Sequence, residues 1–499
     1  MKKMTIEVAT TWIRFKCSRM GDFNGINIRY YISSNCQEHE FDPRAKITKL
    51  VARYTRYDYE TGYVYLPRYM LDSLVEFVCG YDTDIKIHKV NIKPVTPVKV
   101  EMPINPSLVL RPIQVEVTNF LTDESCGYRP LALATGVGKT VSAIYAACKL
   151  GYPTLISLAL LIEQWYDSLL KFTGISRDDI YIVKGFDALA NLWKGIENGF
   201  RPKVVLFSMR TLSLYAVEPT VPYSELPSYD ELLHKLAIGV KIVDECHLNF
   251  NTNTLIDLYS NVKINIYLSA TYQRSSYQGR KIFDMVFPAE LKFGEQFVRK
   301  YTTVYLCAYH LSIIQRDINR FKTFKGYNHA KYENFLVHRI SVLKYFVESV
   351  IATCIYKYYT LFKHDGQHCL ILVQTQQFAC ALAKQLELLQ QDKIAIFFAG
   401  STNEYGKIAN LDADIIISTI KSCGVGRDIK NLKTCINTVS FSSPPQCTQV
   451  LGRLREIPGE ETLFVDIYNS EIPQHMRHIY NRIGIYEARA AKVNRVRLN

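Results

Sequence analysis

A glycine-rich stretch that ends in a lysine and a threonine, residues 133–140 (LATGVGKT), follows an apolar run and precedes a helical pattern. Glycines let backbone N–H groups wrap phosphate oxygens at the N-terminus of a helix. We expect Lys139 to reach the β- and γ-phosphates of a nucleotide and the Thr140 hydroxyl to ligate Mg²⁺. A chance turn between a strand and a helix is the alternative. The predicted nucleotide-binding residues of this stretch are Thr135, Gly136, Val137, Gly138, Lys139 and Thr140.

Two neighbouring acids, Asp244 and Glu245, follow another apolar run further along the chain. Paired carboxylates at a strand end are costly to hold together unless a cation lies beside them. We expect Asp244 to hold Mg²⁺, directly or through water, and Glu245 to orient and deprotonate an attacking water. His247, two residues on, would sense the γ-phosphate. A solvated strand end is the alternative interpretation.

The composition describes the chain that must position these groups. The chain has 499 residues, of which 48% are hydrophobic and 21% charged, with a net charge of +13. This length predicts two or three domains, and this composition excludes a largely disordered chain. The basic balance favours polyanion partners. No apolar run approaches the length of a membrane-spanning helix, and the N-terminus lacks the apolar core of a secretory signal. Thirteen cysteines without a C-x-x-C pair predict reduced thiols, a cytoplasmic protein and no zinc site.

Short apolar runs alternate with helical patterns in two successive series, which predicts two α/β domains with parallel sheets. The residues ahead of them carry a tyrosine-rich hairpin pattern and a helix, and a stretch with five prolines follows. The last 27 residues hold six arginines and lysines and one acid, and predict a basic helix. The predicted boundaries are a small α+β nucleic-acid-binding domain at 1–92, a linker at 93–110, α/β domains at 111–298 and 299–472, and a basic helical C-terminal tail at 473–499.

The strand-end sequence Ser269-Ala270-Thr271 follows the glycine-rich loop and the acid pair in the chain. Together these three motifs resemble the superfamily 2 helicases and nucleic-acid translocases. The resemblance implies two tandem RecA-like P-loop domains with ATP and Mg²⁺ in the cleft between them. It also implies a ratchet in which closing and reopening of the cleft moves the protein along a strand.

The resemblance extends to further segments of the chain. Arg111 and Gln114 lie where the family reads adenine, and residues 161–165 (LIEQW) lie where it first contacts nucleic acid. Predicted contacts to the nucleic-acid backbone are Ser208, Thr211 and Thr419. Asp428 would face the nucleotide.

The arginine segment after Gln449 departs from the family pattern. Gln449 would bind the nucleotide and Arg453 keeps its family position, but Glu456 stands where the family has its final arginine. Arg455 comes one residue early. Either Arg455 or Arg453 would therefore supply the arginine that reaches the γ-phosphate, an interaction that is worth about 10³–10⁵ in rate.

The two ends of the chain are similar to those of UvsW-type phage recombination helicases, on residues 41–44 (FDPR), Leu66-Pro67 and the basic tail. This resemblance implies branch migration of junctions, regression of forks and unwinding of displacement loops, in recombination, repair and replication. The implied partner is branched or forked DNA, with single-strand-binding and recombination proteins as candidate partners and a monomer or weak oligomer as the assembly. If the protein is phage-encoded, its compartment is the host cytoplasm.

Three alternatives stay open. An RNA helicase would share the same core, because the core grips backbone phosphates. A translocase subunit of a restriction system would carry an additional nuclease-like block, which this sequence lacks. A DNA-binding clamp without productive ATPase activity would account for the irregular arginine segment. Intact Lys139, Thr140, Asp244 and Glu245 argue against the clamp.

Overall fold

The structure is a computed structural model in which the chain forms two compact units, residues 1–297 and 298–499. Each unit is described by itself. The described residues are 3–17, 22–23, 25–42, 46–134, 136–159, 161–217, 226–270, 272, 277–294, 300–313, 315–323, 326–389, 392–398, 413–424 and 429–498. Within them no helix has the length and apolarity that crossing a membrane requires.

The first unit begins with a small α+β domain. Its elements are β1 Lys3–Val8, β2 Trp12–Lys16, β3 Asp22–Phe23, β4 Ile26–Asn27, α1 Ile28–Asn35, β5 Gln37–Asp42, β6 Ile47–Arg53, β7 Arg56–Asp58, β8 Tyr63–Pro67, α2 Leu71–Tyr81 and β9 Lys86–Asn91. Five strands form one sheet in the order β7-β8-β2-β1-β9, and β5 pairs with β6 in a separate hairpin. The turn between β7 and β8 contains Gly62 at φ 73°, a conformation that glycine adopts without strain.

This small domain is fastened to the domain that follows it. The Trp12 indole N–H donates to the Ser260 carbonyl at 3.0 Å, and the Arg56 guanidinium donates to the Leu258 carbonyl at 3.1 Å. The Thr11 hydroxyl donates to the Asp257 carbonyl at 3.0 Å. These contacts are buried or partly buried, so the small domain and the α/β domain share one packed unit.

The proline-rich segment 93–110 runs along the α/β domain as a strap. Its backbone amides donate to carbonyls of that domain in three places: Val95 to Asn261, Val100 to Gly151 and Asn105 to Phe172, each at 2.9 Å. Proline lacks an amide hydrogen, so the segment forms these bonds only at intervals. The stretch that the sequence indicated as a linker is therefore fixed along its length.

The α/β domain of the first unit has a six-stranded parallel sheet in the order β10-β15-β14-β11-β13-β12. Its elements are α3 Pro112–Thr122, β10 Tyr128–Ala132, α4 Lys139–Leu150, β11 Thr154–Leu158, α5 Ile162–Phe172, β12 Ile180–Val183, α6 Phe186–Glu197, β13 Val204–Ser208, α7 Met209–Ala216, α8 Tyr229–Lys235, β14 Val240–Val243, α9 Phe250–Asp257, β15 Ile264–Ser269 and α10 Tyr277–Val286. The central strands are buried on both faces, as parallel strands covered by helices must be. The neighbours β10, β15 and β14 end at the same sheet edge.

The second unit has a seven-stranded parallel sheet in the order β20-β21-β19-β22-β23-β16-β24. Its elements are β16 Thr302–Tyr309, α11 Gln315–Arg320, β17 Lys322–Thr323, β18 Gly326–Tyr327, α12 His329–His338, α13 Ile340–Phe346, α14 Ala352–Ile355, β19 His368–Val373, α15 Gln376–Leu386, β20 Ile394–Phe397, β21 Ile415–Thr419, α16 Ile420–Gly424, β22 Leu432–Asn437, α17 Pro444–Leu451, β23 Thr462–Asn469, α18 Pro473–Arg489 and β24 Lys492–Arg497. The segments Val347–Ile351 and Tyr356–Thr360 are π-helical.

The basic C-terminal segment differs in part from the predicted helix. The helix α18 ends at Arg489, and β24 then joins the edge of the sheet parallel to β16. Arg482, counted among the basic residues of the tail, is buried, and its guanidinium bonds the Asp466 carboxylate through Nε and Nη2, each at 3.0 Å. The tail is thus part of the second α/β domain. Local periodicity could not reveal this, because the strand exists only through its pairing with β16.

The predicted α/β class, with two α/β domains and a small α+β domain before them, is confirmed.

Candidate nucleotide site

The loop between β10 and α4 has two glycines in the backbone conformations that phosphate-binding loops use. Gly136 and Gly138 have φ values of 83° and 106°, which side-chain-bearing residues rarely adopt. A Cβ on Gly138 would also lie 2.1 Å from Gln114 Nε2. Helix α4 begins at Lys139, so its free N–H groups point toward this loop. Thr140 lies in the first turn of α4, and Thr135 is outside the described residues.

Arg111 and Gln114, at the beginning of α3, brace the loop from one side. The Arg111 guanidinium donates to the Val137 carbonyl at 2.6 Å, and Gln114 Nε2 donates to the same carbonyl at 3.3 Å. Gln114 Oε1 in turn accepts the Arg111 amide hydrogen at 2.9 Å. The structure therefore places this pair against the glycine-rich loop, a contact that the sequence did not indicate. Adenine recognition by Gln114 stays a prediction.

Lys139 lies between the loop and the acid pair. Its ammonium donates to the Leu133 carbonyl at 3.2 Å and lies 3.9 Å from Glu245 Oε1. The side chain is only about one-tenth exposed, which places the cation at the floor of the site. A cation in this position attracts phosphate oxygens strongly because little water screens it.

Asp244 follows the last residue of β14, where two donors hold its carboxylate. Oδ2 accepts the Trp165 indole N–H at 2.8 Å, and Oδ1 accepts the Glu245 amide hydrogen at 3.0 Å. Burial, followed by the neighbouring Glu245 charge, raises the pKa of Asp244 to about 6. The Trp165 N–H and the Lys139 charge act in the opposite direction.

Glu245 has a strained backbone and an incompletely bonded carboxylate. Its φ is 46°, in the left-handed region that residues other than glycine seldom occupy. Such strain tends to persist where the surrounding structure imposes it for function. Its Oε2 is buried without a hydrogen-bond donor among the described residues, although His247 Nδ1 lies 3.4 Å away.

His247 connects the acid pair to the next strand end. Its Nδ1 lies 2.8 Å from the Ser269 hydroxyl, and the imidazole is 7% exposed. The Ser269 carbonyl accepts the Leu133 amide hydrogen at 3.1 Å. This bond connects the end of β15 to the first residue of the glycine-rich loop. Three motifs that lie far apart in the chain are thus in contact at one edge of the sheet.

The donor set of this site fits a divalent cation. Glu245 Oε2 has no hydrogen-bond donor among the described residues, so the two adjacent carboxylates have more acceptor capacity than Lys139 satisfies. Carboxylate and hydroxyl oxygens are the ligands Mg²⁺ prefers, usually together with substrate phosphates. Asp244 and Thr140 are the residues of the site that would hold it. The arrangement can therefore bind a phosphate chain and its counter-ion and activate a water molecule.

Trp165 is a site residue whose role the sequence did not indicate. The segment 161–165 was expected to contact nucleic acid, but the Trp165 side chain is 1% exposed and donates a hydrogen bond to Asp244. The sequence does not indicate which acceptor a tryptophan indole N–H will bond, because any nearby oxygen can serve.

The three residues predicted to contact nucleic acid differ in burial and in the hydrogen bonds of their hydroxyls. Ser208 is the last residue of β13 and half-buried. Thr211 is 6% exposed, and its hydroxyl accepts the Gly185 amide hydrogen at 2.9 Å. Thr419, at the end of β21, donates its hydroxyl to Ser422 Oγ at 2.8 Å. Two of the three hydroxyls are thus engaged within the protein, and contact with nucleic acid stays a prediction for all three.

The arginine segment of the second unit follows α17. Gln449 lies in the last turns of that helix, and Arg453 and Arg455 follow its end. Arg455 Nη1 donates to the Gly452 carbonyl at 3.4 Å, and Glu456 is exposed. Both arginines are half-buried, so neither is singled out by burial. Asp428 lies outside the described residues.

Comparison with known proteins supports the fold. No family model matches the chain. It is 24% identical over 381 residues to transcript termination protein A18 of fowlpox virus, a match that spans 73% of this chain and 74% of that protein. It is 32% identical over 144 residues to a candidate helicase, 161L, of Invertebrate iridescent virus 6, or 28% of each chain.

Two solved structures extend the comparison. A fragment of a candidate HsdR subunit of a type I restriction enzyme from Vibrio vulnificus aligns with a TM-score of 0.51 and 16% identity, over 92% of this chain and 78% of that one. T4 UvsW aligns over the full length of both chains with a TM-score of 0.38 and 12% identity. The HsdR alignment shows a shared fold and agrees with the predicted arrangement of two tandem α/β domains.

Proposed function

We propose that this protein is an ATP-dependent helicase or translocase that acts on branched or forked DNA. The observation that carries the proposal is the convergence of Lys139, Glu245 and His247 at one edge of the first parallel sheet. This arrangement offers a phosphate-binding cation, a candidate base and a residue linked to the next motif. The name of the iridescent-virus relative supports helicase activity.

The roles of the residues follow from their contacts. Lys139 binds the β- and γ-phosphates, and Arg111 holds the loop that surrounds them. Glu245 accepts the proton of the attacking water, since its Oε2 has no hydrogen-bond donor among the residues that the structure describes. Mg²⁺, when bound by Asp244 and Thr140, would neutralise phosphate charge. His247 and Ser269 transmit a change in the position or charge of Glu245 to the end of β15.

The surface of the second unit supports a polyanionic partner. Lys492, Arg495 and Arg497 are exposed on the edge strand β24. Cations on a rigid strand suit backbone phosphates, and their binding releases condensed counter-ions. We expect affinity for DNA to fall at least about 10³-fold between about 50 and 200 mM salt if six or more phosphates are contacted. Changing Arg495 and Arg497 to Ala together should lower the salt slope by about two.

An RNA substrate is the second candidate. The fowlpox relative is named for transcript termination, and a transcript is an RNA. Backbone contacts alone do not separate the two polymers, since both carry phosphates.

The deciding experiment measures ATP hydrolysis and strand separation on forked DNA, a four-way junction, plain DNA duplex, RNA duplex and a DNA–RNA hybrid. The proposal expects hydrolysis stimulated most by forked or four-way DNA, with ATP-dependent product formation. Preference for the hybrid or RNA duplex would overturn the DNA assignment and favour the second candidate. Nucleic-acid binding without any ATP hydrolysis would favour a clamp.

A further inference from the structure

We propose that Trp165 is a positioning residue that holds the Asp244 carboxylate in its metal-binding orientation and links that orientation to the beginning of α5. The inference rests on the proposed function, because it assigns Asp244 to Mg²⁺. It adds a residue that touches neither nucleotide nor metal and acts through another side chain.

The contact itself is specific. The Trp165 indole N–H donates to Asp244 Oδ2 at 2.8 Å, and the tryptophan is 1% exposed. An indole has one donor and no acceptor, so this carboxylate is its hydrogen-bonding partner. A buried indole N–H without a partner would be costly, and the bond therefore holds both groups.

Two donors from different elements determine the carboxylate plane. Oδ1 accepts from the Glu245 backbone, which belongs to the acid segment, and Oδ2 accepts from α5. Removing the second donor leaves rotation about the terminal bond of Asp244 restrained on one side only. Partners of this kind typically change metal affinity by about 10–100-fold when they are removed.

The link extends to the segment that the family resemblance places at the nucleic acid. Trp165 lies in the first turn of α5, and its amide donates to the Leu161 carbonyl at 3.1 Å. Leu161 has a φ of 65°, a strained conformation for a leucine. The Asp244 amide in turn donates to the Ser157 carbonyl, at 3.1 Å, in the strand that precedes α5. The backbone and the side chain of Asp244 are thus both attached to the β11–α5 segment.

A shift of the first turn of α5 would therefore move the indole and rotate the carboxylate. Binding of nucleic acid against residues 161–164 can bias that shift. We expect Trp165 to be required for nucleic acid to stimulate ATP hydrolysis, beyond its contribution to packing.

The test compares Trp165→Phe with Trp12→Phe. Both changes remove a buried indole hydrogen bond, but Trp12 donates to the Ser260 carbonyl, away from the acid pair. The first measurement is the direct binding of Mn²⁺ in the presence of ADP, detected by electron paramagnetic resonance. We expect Trp165→Phe to raise the Mn²⁺ dissociation constant about tenfold or more, and Trp12→Phe to leave it unchanged.

The second measurement is ATP hydrolysis. Trp165→Phe should raise the Mg²⁺ concentration for half-maximal rate and lower the ratio of rates with and without nucleic acid, while the KM for ATP at saturating Mg²⁺ changes little. A purely structural role would instead lower the folded fraction and leave the Mg²⁺ dependence of the remaining enzyme as in the wild type. If Trp165→Phe does not fold, Trp165→Met, which fills irregular space, replaces it.

The outcomes separate the two claims. If wild-type protein binds Mn²⁺ and ADP and hydrolyses ATP, but Trp165→Phe matches it in both measurements, the inference is overturned and the proposed function stands. If wild-type protein binds neither Mn²⁺ nor ADP, the nucleotide site and the inference are both overturned. If it binds both without hydrolysis, and Trp165→Phe weakens Mn²⁺ binding, the inference stands and the enzymatic proposal falls.

Discussion

Lys139 Nζ lies 3.9 Å from Glu245 Oε1, so the residue expected to bind phosphate and the residue expected to activate water share one corner of the first domain. The two side chains arrive from different strand ends, β10 and β14, with β15 between them in the sheet. An arriving phosphate would compete with Glu245 for the ammonium. Phosphate binding would then free the carboxylate at the moment when a base is needed.

Removing the lysine should separate catalysis from nucleic-acid binding. Lys139→Ala should abolish ATP hydrolysis, because no other cation reaches the loop carbonyls among the described residues except Arg111, which braces the outside of the loop. Nucleic-acid affinity should stay largely intact. The matched control is Lys149→Ala, an exposed lysine at the other end of α4. Loss of all nucleic-acid binding in a folded Lys139→Ala protein would contradict a separate nucleic-acid site.

Replacing the candidate base should preserve binding but not turnover. Glu245→Gln keeps the side-chain shape, but an amide cannot accept the proton of the attacking water. We expect normal ATP affinity and a turnover reduced by about 10²-fold or more, measured in single-turnover assays. Glu197→Gln, an exposed change at the end of α6, serves as the control. Near-normal turnover would remove Glu245 from the role of base.

Adding one methyl group to the loop should disrupt nucleotide binding. A Cβ at position 138 would lie 2.1 Å from Gln114 Nε2 and displace that amide from the Val137 carbonyl, and the alanine would also have to adopt a φ of 106°. Gly138→Ala should therefore lose ATP affinity, as measured by calorimetry. Gly199→Ala has a similar positive φ of 89° but no neighbour within 4 Å. Gly199→Ala should lower the free energy of unfolding by about 1 kcal/mol and bind ATP normally. The comparison distinguishes the cost of the backbone conformation from the cost of displacing Gln114.

The irregular arginine segment calls for a side-by-side comparison. If Arg453 and Arg455 both act on the transferring phosphoryl group, each change to Ala should lower turnover at saturating ATP by about 10²-fold or more. Lysine should not restore it fully, since it lacks the planar fork. Near-normal turnover in Arg455→Ala would leave that role to Arg453 or to an arginine outside the motif, such as Arg427, which lies outside the described residues. Arg427→Ala is therefore assayed beside the other two changes.

Stability of the second domain should depend on a buried histidine in α12. Burial, and then the positive charge of His478 and Arg482, lower the pKa of His329 to about 3. A lowered histidine pKa means that the folded state binds fewer protons, so stability is complete above pH 6.5 and is lost as pH falls toward 3. Between pH 7 and 5.5 this amounts to about 1 kcal/mol.

Denaturant unfolding at the two pH values checks this prediction. His329→Gln should lose about 1 kcal/mol less than wild type between pH 7 and 5.5, because glutamine does not titrate. Glu333, whose pKa burial raises to about 7, lies 3.7 Å from His329 Nε2, so the comparison is repeated in a Glu333→Gln background, where only His329 differs. His338→Gln, an exposed change on the same helix, should show the pH dependence of wild type. Equal slopes for wild type and His329→Gln would contradict the prediction.

The sequence by itself determined the α/β class and the nucleotide-site candidates, because both depend on local information. Apolar runs of strand length indicated the parallel sheets, and the residue types of the loop and the acid pair indicated phosphate and cation chemistry. Parallel strands end at one edge, so motifs such as Lys139 and Glu245 could be expected to meet once the sheet was assigned.

Only the tertiary structure decided what each remaining side chain faces. The segment 161–165 was expected at the nucleic acid, but Trp165 turns inward to Asp244. Residues 492–497 form a strand because they pair with β16. Arg482, expected on a basic surface, is buried and bonds Asp466. These outcomes depend on partners that are 16 residues away for Arg482, 79 for Trp165 and 189 for Lys492, so they are set by how elements pack. Side-chain type and periodicity describe a residue and its near neighbours, whereas burial and pairing are properties of the assembled domain.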